Sequence, residues 1–127
     1  MDFKLSDEQR MLRETVRKFS EKEIAPLVEE MDQEEKFIED LWDKAKPLGF
    51  LGMGVDQKYG GMLTDYLSFG LMGEELGRVD AGVATVYGAH GLLCANNISR
   101  NGTEDQKKRY LELLATGERR GCMLSLI

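Results

Sequence analysis

Apolar residues recur at helical spacing along most of this 127-residue chain. Leu12, Val16 and Phe19 stand three and four apart, and Arg13, Arg17 and Lys18 fall on the outward side of the same turn. Ser6-Asp7-Glu8-Gln9 ahead of them is a capping-box pattern, in which Ser6 takes the Gln9 amide and Gln9 reaches back. Pro26 suits the first turn of a second helical piece, from Pro26 to about Glu34, where its missing N–H costs nothing. A third helix fits Ile38 to Leu48, with Leu41, Trp42 and Ala45 as its apolar face and Gly49 as a left-handed cap.

The period then breaks. Phe50-Leu51-Gly52-Met53-Gly54-Val55 is apolar and punctuated by glycine, and Asp56 to Gly61 is rich in turn formers, so a buried, irregular crossing segment is expected. Asp65 can cap a helix to about Arg78 that carries Tyr66, Phe69, Gly70, Gly73, Leu76 and Gly77 on one side. A helix from about Ala81 to Arg100 is again built on small residues: Gly82, Ala84, Gly88, Ala89, Gly91 and Ala95. Glycine in a helix costs up to about 1 kcal/mol relative to alanine, so such helices are expected where another backbone or a ligand comes close. Asn101-Gly102 marks a turn and Thr103-Glu104-Asp105-Gln106 a second capping box. The last helix should bury Tyr110, Leu111 and Leu114 and stop at Gly117. The pattern predicts an all-α chain, an up-and-down bundle of about five to six helices, in one domain.

Composition sharpens this picture. Residues 1–46 hold 23 of the 40 charged side chains, which makes the first third solvated outer helix and the later part interior. A net charge of −6 argues against nucleic acid. The low-charge run from Ala81 to Ser99 has nearly the length of a membrane span. Thr85, His90, Asn96 and Asn97 would be costly in lipid, so a buried helix is expected instead. MDFKLSDEQR has neither an apolar core nor the charge pattern of a leader, and two cysteines in an acidic chain suit a reducing compartment; the expected location is the cytoplasm.

Candidate chemistry is sparse. His90 and Cys94 stand four apart on the small-residue helix, but a zinc site needs a third protein ligand and the nearby sequence supplies none, so no metal is expected. Cys94 or Ser99 with His90 as base lacks a third group to orient the imidazole. The Gly49–Gly61 stretch has no Lys-Ser/Thr after its glycines and is not a phosphate loop. The acidic run Glu29 to Glu35 reads as a solvated helix end, and Lys107-Lys108-Arg109 as ordinary pairing with Glu104 and Asp105.

Four stretches taken together resemble a known family: LSDEQRMLRETVRKFSEKEIAP, LGFLGMGVDQKYGG, EELGRVDAGVATVYGAH and NGTEDQKKRYLELLATGE. Their order and spacing, from about Phe3 to Gly121, are similar to the amino-terminal helical domain of acyl-CoA dehydrogenases. YGAHGLLCANNISRNG is most similar to the isovaleryl-CoA dehydrogenase branch. The resemblance implies a flavoenzyme that desaturates an acyl-CoA between its α and β carbons. It uses a carboxylate base, flavin adenine dinucleotide (FAD) as hydride acceptor and an electron-transfer flavoprotein as outlet, usually in a homo-oligomer.

The resemblance places residues 1–121 in that domain and 122–127 at the start of a link to a middle β-domain. The family's catalytic glutamate and flavin motif fall past Ile127, so no catalytic or cofactor-binding residue is expected here. A chain of this extent should neither turn over nor hold FAD firmly. What carries over is one wall of the acyl pocket, at Thr85, Gly88, Ala89 and Leu92, whose spacing of three and four independently sets them on one stripe. Gly88 and Ala89 would leave room for a short, branched or bulky acyl group. Thr85 departs from the isovaleryl branch, where leucine is expected, which opens the pocket to a polar or aromatic-substituted chain. The alternative is a standalone helical binding or assembly module without catalysis.

Overall fold

The computed structural model describes residues 3–124 and is all-helical, as expected. Among the described residues the only β pairing is an isolated bridge between Asp56 and Leu63. The described residues form two compact units, 3–38 with 65–84 and 39–64 with 85–124.

In the first unit, α1 (Asp7–Phe19) starts at Ser6 with both halves of the expected capping box in place. Pro26 does begin a new turn, but without a break. A π-helical turn at Ser20–Ile24 and a 3-10 turn at Ala25–Leu27 carry the rod directly into α2 (Val28–Glu34), which ends at Glu35 with φ 50°. α4 (Tyr66–Gly77) is capped by Asp65, whose carboxylate accepts from the Ser68 N–H at 2.6 Å. It packs on α1, and Val16, Phe19, Phe69, Met72 and Leu76 are buried.

The expectation of one mixed face on α4 is corrected. Phe69 and Leu76 are buried with Ser68, Leu71, Met72 and Glu75, whereas Tyr66, Gly70 and Gly77 are exposed. A Cβ built at Gly70 or Gly73 would meet nothing within 4 Å among the described residues, so no backbone approaches them there. At 100° per residue the glycines fall opposite the buried arc.

Arg13 and Arg17 were expected to point outward, and this too is corrected. Both fold back onto Glu75, which is 2% exposed. Arg13 Nε donates to it at 2.8 Å, Arg17 Nη2 and Nε at 2.9 and 3.0 Å, and Arg78 Nη1 at 3.1 Å. A buried carboxylate is costly unless paired, and these half-exposed arginines supply the pairing while keeping part of each guanidinium wet.

In the second unit, α3 (Asp40–Ala45) runs through a 3-10 turn at Lys46–Leu48 to Gly49, whose φ of 73° is the expected left-handed cap. Leu41, Trp42 and Ala45 are buried as predicted, and Phe50 to Val55 forms a fully buried irregular segment. α5 (Ala81–Gly88), of which residues 85–88 fall in this unit, continues through a π-helical segment, Ala89–Ala95, into α6 (Asn96–Asn101). The Asn96 N–H reaches the Gly91 carbonyl five residues back, the signature of the wider turn. α7 (Glu104–Ala115) opens with the second capping box, at Thr103, and Gly117 follows with φ 75°. It buries Leu111, Leu114 and Ala115. Tyr110, expected inside, is 44% exposed because it lies on the outer flank of that face.

The 50–55 segment crosses the π-helical segment backbone to backbone. A Cβ at Gly54 would collide with the Gly91 carbonyl, and the Asn96 side-chain amide donates to the Gly54 carbonyl at 2.9 Å. Gly91 is therefore there for close packing, as small helical residues were expected to be.

Two measurements check these assignments. Glu75→Gln should lose about 2–3 kcal/mol in chemical denaturation at pH 7, since a charged acceptor of several guanidinium hydrogen bonds is removed. The arginines beside Glu75 hold its carboxyl down at about 2, so its contribution is fully present above pH 4.5 and is lost as pH falls toward 2; Glu75→Gln should flatten that acid limb. The second check contrasts two glycines. Gly54→Ala should cost about 2–3 kcal/mol by overpacking, while Gly70→Ala should stabilise by up to about 1 kcal/mol.

Candidate functional site: an uncovered stripe on the small-residue helix

The rod over residues 81–101 has two unlike sides. One is sealed. Tyr87, His90, Gly91, Ala95 and Asn96 are buried, and the Tyr87 hydroxyl donates to the Leu41 carbonyl at 2.6 Å. The other carries the residues singled out from the sequence. Thr85 and Leu92 are exposed and Gly88 and Ala89 half-buried, so all four share the uncovered side. A Cβ at Gly88 would meet nothing within 4 Å among the described residues.

The π-helical segment alters the stripe. One extra residue in the turn shifts the register by about one position, and Leu93 becomes as exposed as Leu92, at 45% against 40%. Spacing rules built on 3.6 residues per turn did not reach Leu93. The Ala-His-Gly-Leu-Leu-Cys-Ala sequence carries no mark of a π turn, so no signal in it could have shown the shift. Past Leu93 lies a cavity of about 370 Å³, which Ile98, Tyr110 and Met123 also line.

The chemistry weighed for His90 and its neighbours is spoken for by packing. The ring is 1% exposed, Nε2 lies 2.9 Å from the Leu114 carbonyl, and Nδ1 accepts the Gly121 N–H at 3.1 Å. It stands edge-on to Trp42 at 4.8 Å between centroids. With both nitrogens bonded it offers neither a metal lone pair nor a base for Cys94. The Ser99 hydroxyl instead meets Asp56 at 3.3 Å. Burial pushes the Cys94 thiol up, away from a reactive thiolate. Cys94 and Cys122 are both free thiols. Among the described residues no helix is long and apolar enough to cross a membrane.

The glycine-rich stretch does not fit a dinucleotide. The N–H groups of Gly60, Gly61, Met62 and Leu63 are given to the carbonyls of Gln57, Asp56, Gly52 and Val55. A pyrophosphate needs such amides unspent. Accordingly no step is assigned to a flavin through these residues.

With this geometry in view, likeness to known proteins becomes informative. Isovaleryl-CoA dehydrogenase of Pongo abelii is 41% identical over 121 residues, which is 94% of this chain and 29% of that protein. The butyryl-CoA dehydrogenase structure from Megasphaera elsdenii superposes with a TM-score of 0.87 at 40% identity, over 94% of this chain and 32% of that one. A Bacillus anthracis acyl-CoA dehydrogenase solved with FAD gives 0.81 at 38% identity, over 91% of this chain and 20% of that one. This chain thus spans less than a third of the relatives it matches. Residues 6–118 match the family model of the acyl-CoA dehydrogenase N-terminal domain, and the chain belongs to that family.

Proposed function

We propose that this chain is the amino-terminal part of a flavin-dependent acyl-CoA dehydrogenase and forms one wall of its acyl pocket. The observation that carries the proposal is the bare stripe of Thr85, Gly88, Ala89 and Leu92, extended by Leu93, on a helix whose other side is sealed. An alkyl chain laid along it would touch apolar surface at Leu92, Leu93 and Ala89. It would find depth at Gly88, where a side chain is missing, and that depth suits a short, branched or bulky acyl group. Thr85 adds a hydroxyl at the end of the stripe and favours an acyl group with a polar or aromatic substituent over a plain isovaleryl chain.

In this reading residues 1–121 form the helical domain and 122–127 begin the link to a β-domain; of these, 1–2 and 125–127 lie outside the described residues. The α-proton would be removed by a carboxylate, a role assigned to none of residues 3–124. FAD would supply the hydride acceptor for α,β-desaturation, and an electron-transfer flavoprotein would take the electrons onward. None of the flavin's contacts is assigned to residues 3–124. The chain's own task is to hold and size the acyl group and exclude water from one side of it. An apolar stripe left in water also favours self-association, so a homo-oligomer is part of the proposal.

The test is a backbone-amide NMR titration of the chain with isovaleryl-CoA, phenylacetyl-CoA and free CoA. Shifts at Thr85, Gly88, Ala89, Leu92 and Leu93 with the thioesters but not with CoA are expected, and Gly88→Leu should abolish them. Shifts scattered elsewhere, or equal with free CoA, would sink the pocket-wall reading and favour a helical assembly module. A chain that purifies yellow and reduces an artificial acceptor with acyl-CoA would overturn the confinement of its role to one pocket wall.

A further inference from the structure

The bonds of His90 do more than fill a core. A neutral imidazole carries one proton, and the Gly121 N–H can only donate, so Nδ1 must be the acceptor. The proton is then on Nε2, which donates to the Leu114 carbonyl. One ring thereby ties the π-helical segment to the end of α7 and to the chain leaving it. The same stretch is held twice more. Trp42 Nε1 donates to the Gly117 carbonyl at 2.9 Å, and the Arg120 guanidinium lies over the Trp42 ring at 4.4 Å while pairing with Glu39. Gly121 itself sits so close to Cys94 that a Cβ there would collide with its sulfur.

We propose that His90 is a positioning residue, a neutral Nε2–H clasp that holds the exit segment Gly117–Gly121 against the helix carrying the uncovered stripe, and that it releases the segment when protonated. Protonation would place a second N–H at Nδ1, facing the Gly121 N–H, and the bond would become a repulsion. The groups packed around the ring leave it no counter-charge. Trp42 from α3 carries no charge, and the Leu114 carbonyl from α7 and the Leu51 backbone from the crossing segment, which favour the charged ring as hydrogen-bond partners, are outweighed by burial. The exit segment brings Arg120, a like charge. On the ring's own helix, burial pushes both Tyr87 and Cys94 up, so both stay neutral. Burial accordingly holds the His90 ring below the ordinary histidine value. The clasp is at full strength above pH 6.5 and weakens as pH falls through that lowered value. This inference goes beyond the acyl-CoA reading and stands or falls without it.

Hydrogen exchange and ring 15N shifts of the labelled chain test it. At pH 7.5 the ring should show the Nε2–H tautomer and the Gly121 amide should be protected. On acidification that protection should fall in step with the His90 titration, while the Leu111 and Leu114 amides stay protected. The two amide replacements separate the two ends of the clasp. In His90→Asn the Oδ1 can stand in for Nδ1, so Gly121 should keep its protection to within about threefold. In His90→Gln the Nε2 stands in for the donor to Leu114, so Gly121 should exchange about tenfold faster or more. In neither should a pH step remain. If a variant fails to fold, the parent's titration decides alone. An Nδ1–H tautomer, a Gly121 amide unprotected at pH 7.5, or protection indifferent to the His90 titration would overturn the proposal.

Discussion

The residues around the proposed site depend on a place where two backbones touch. At Gly54 and Gly91 the buried crossing segment and the π-helical segment leave no room for a β-carbon. The Asn96 side-chain amide donates to the Gly54 carbonyl at this crossing. A contact this close fixes the rotation of the helix about its own axis, because Gly91 has to face the Gly54 crossing. Once that rotation is set, Tyr87, His90 and Ala95 turn inward, and Thr85, Gly88, Ala89 and Leu92 remain outside. The uncovered stripe is thus a by-product of a sealed side.

Glycines on this helix consequently do two opposite things. Gly91 is small so that protein can come close, and Gly88 is small where no described protein atom comes close at all. The same contrast separates α4's glycines from the expectation placed on them, since Gly70 and Gly73 have open space above them. A missing side chain means close packing on the buried arc and depth on the exposed arc. In the proposed function, the depth at Gly88 is where an acyl group would lie.

Polar groups inside the two units follow one rule and look different. Glu75 remains charged because three arginines reach it from half-exposed positions, so its penalty is met by partners that stay partly in water. His90 remains neutral because burial disfavours its charged form and outweighs the Leu114 carbonyl, which would favour it, while the nearby Arg120 adds a like charge. Each side chain is held in one ionisation state by its surroundings, Glu75 by its arginine partners and His90 by burial. Both sit where a purely apolar residue would have left backbone or guanidinium groups unpaired.

Local rules carried much of this structure. Both capping boxes, the Asp65 cap, the Gly49 and Gly117 turns and the apolar face of α3 depend on neighbours within a few residues, and they were legible for that reason. That Thr85, Gly88, Ala89 and Leu92 share one side of their helix was legible in the same way, as spacing. Contacts between residues far apart in the chain were not legible. Nothing in the order of residues showed that Glu75 would draw in Arg13 and Arg17 from 62 and 58 residues away. Nothing showed that His90 would hold Gly121, or that a π turn would bring Leu93 onto the stripe. The sequence by itself determined the helices and their caps, because these are decided by backbone hydrogen bonds within one or two turns. Only the tertiary structure decided which side of each helix is covered and which buried polar group meets which partner, because those outcomes depend on the packing of segments that local periodicity cannot place.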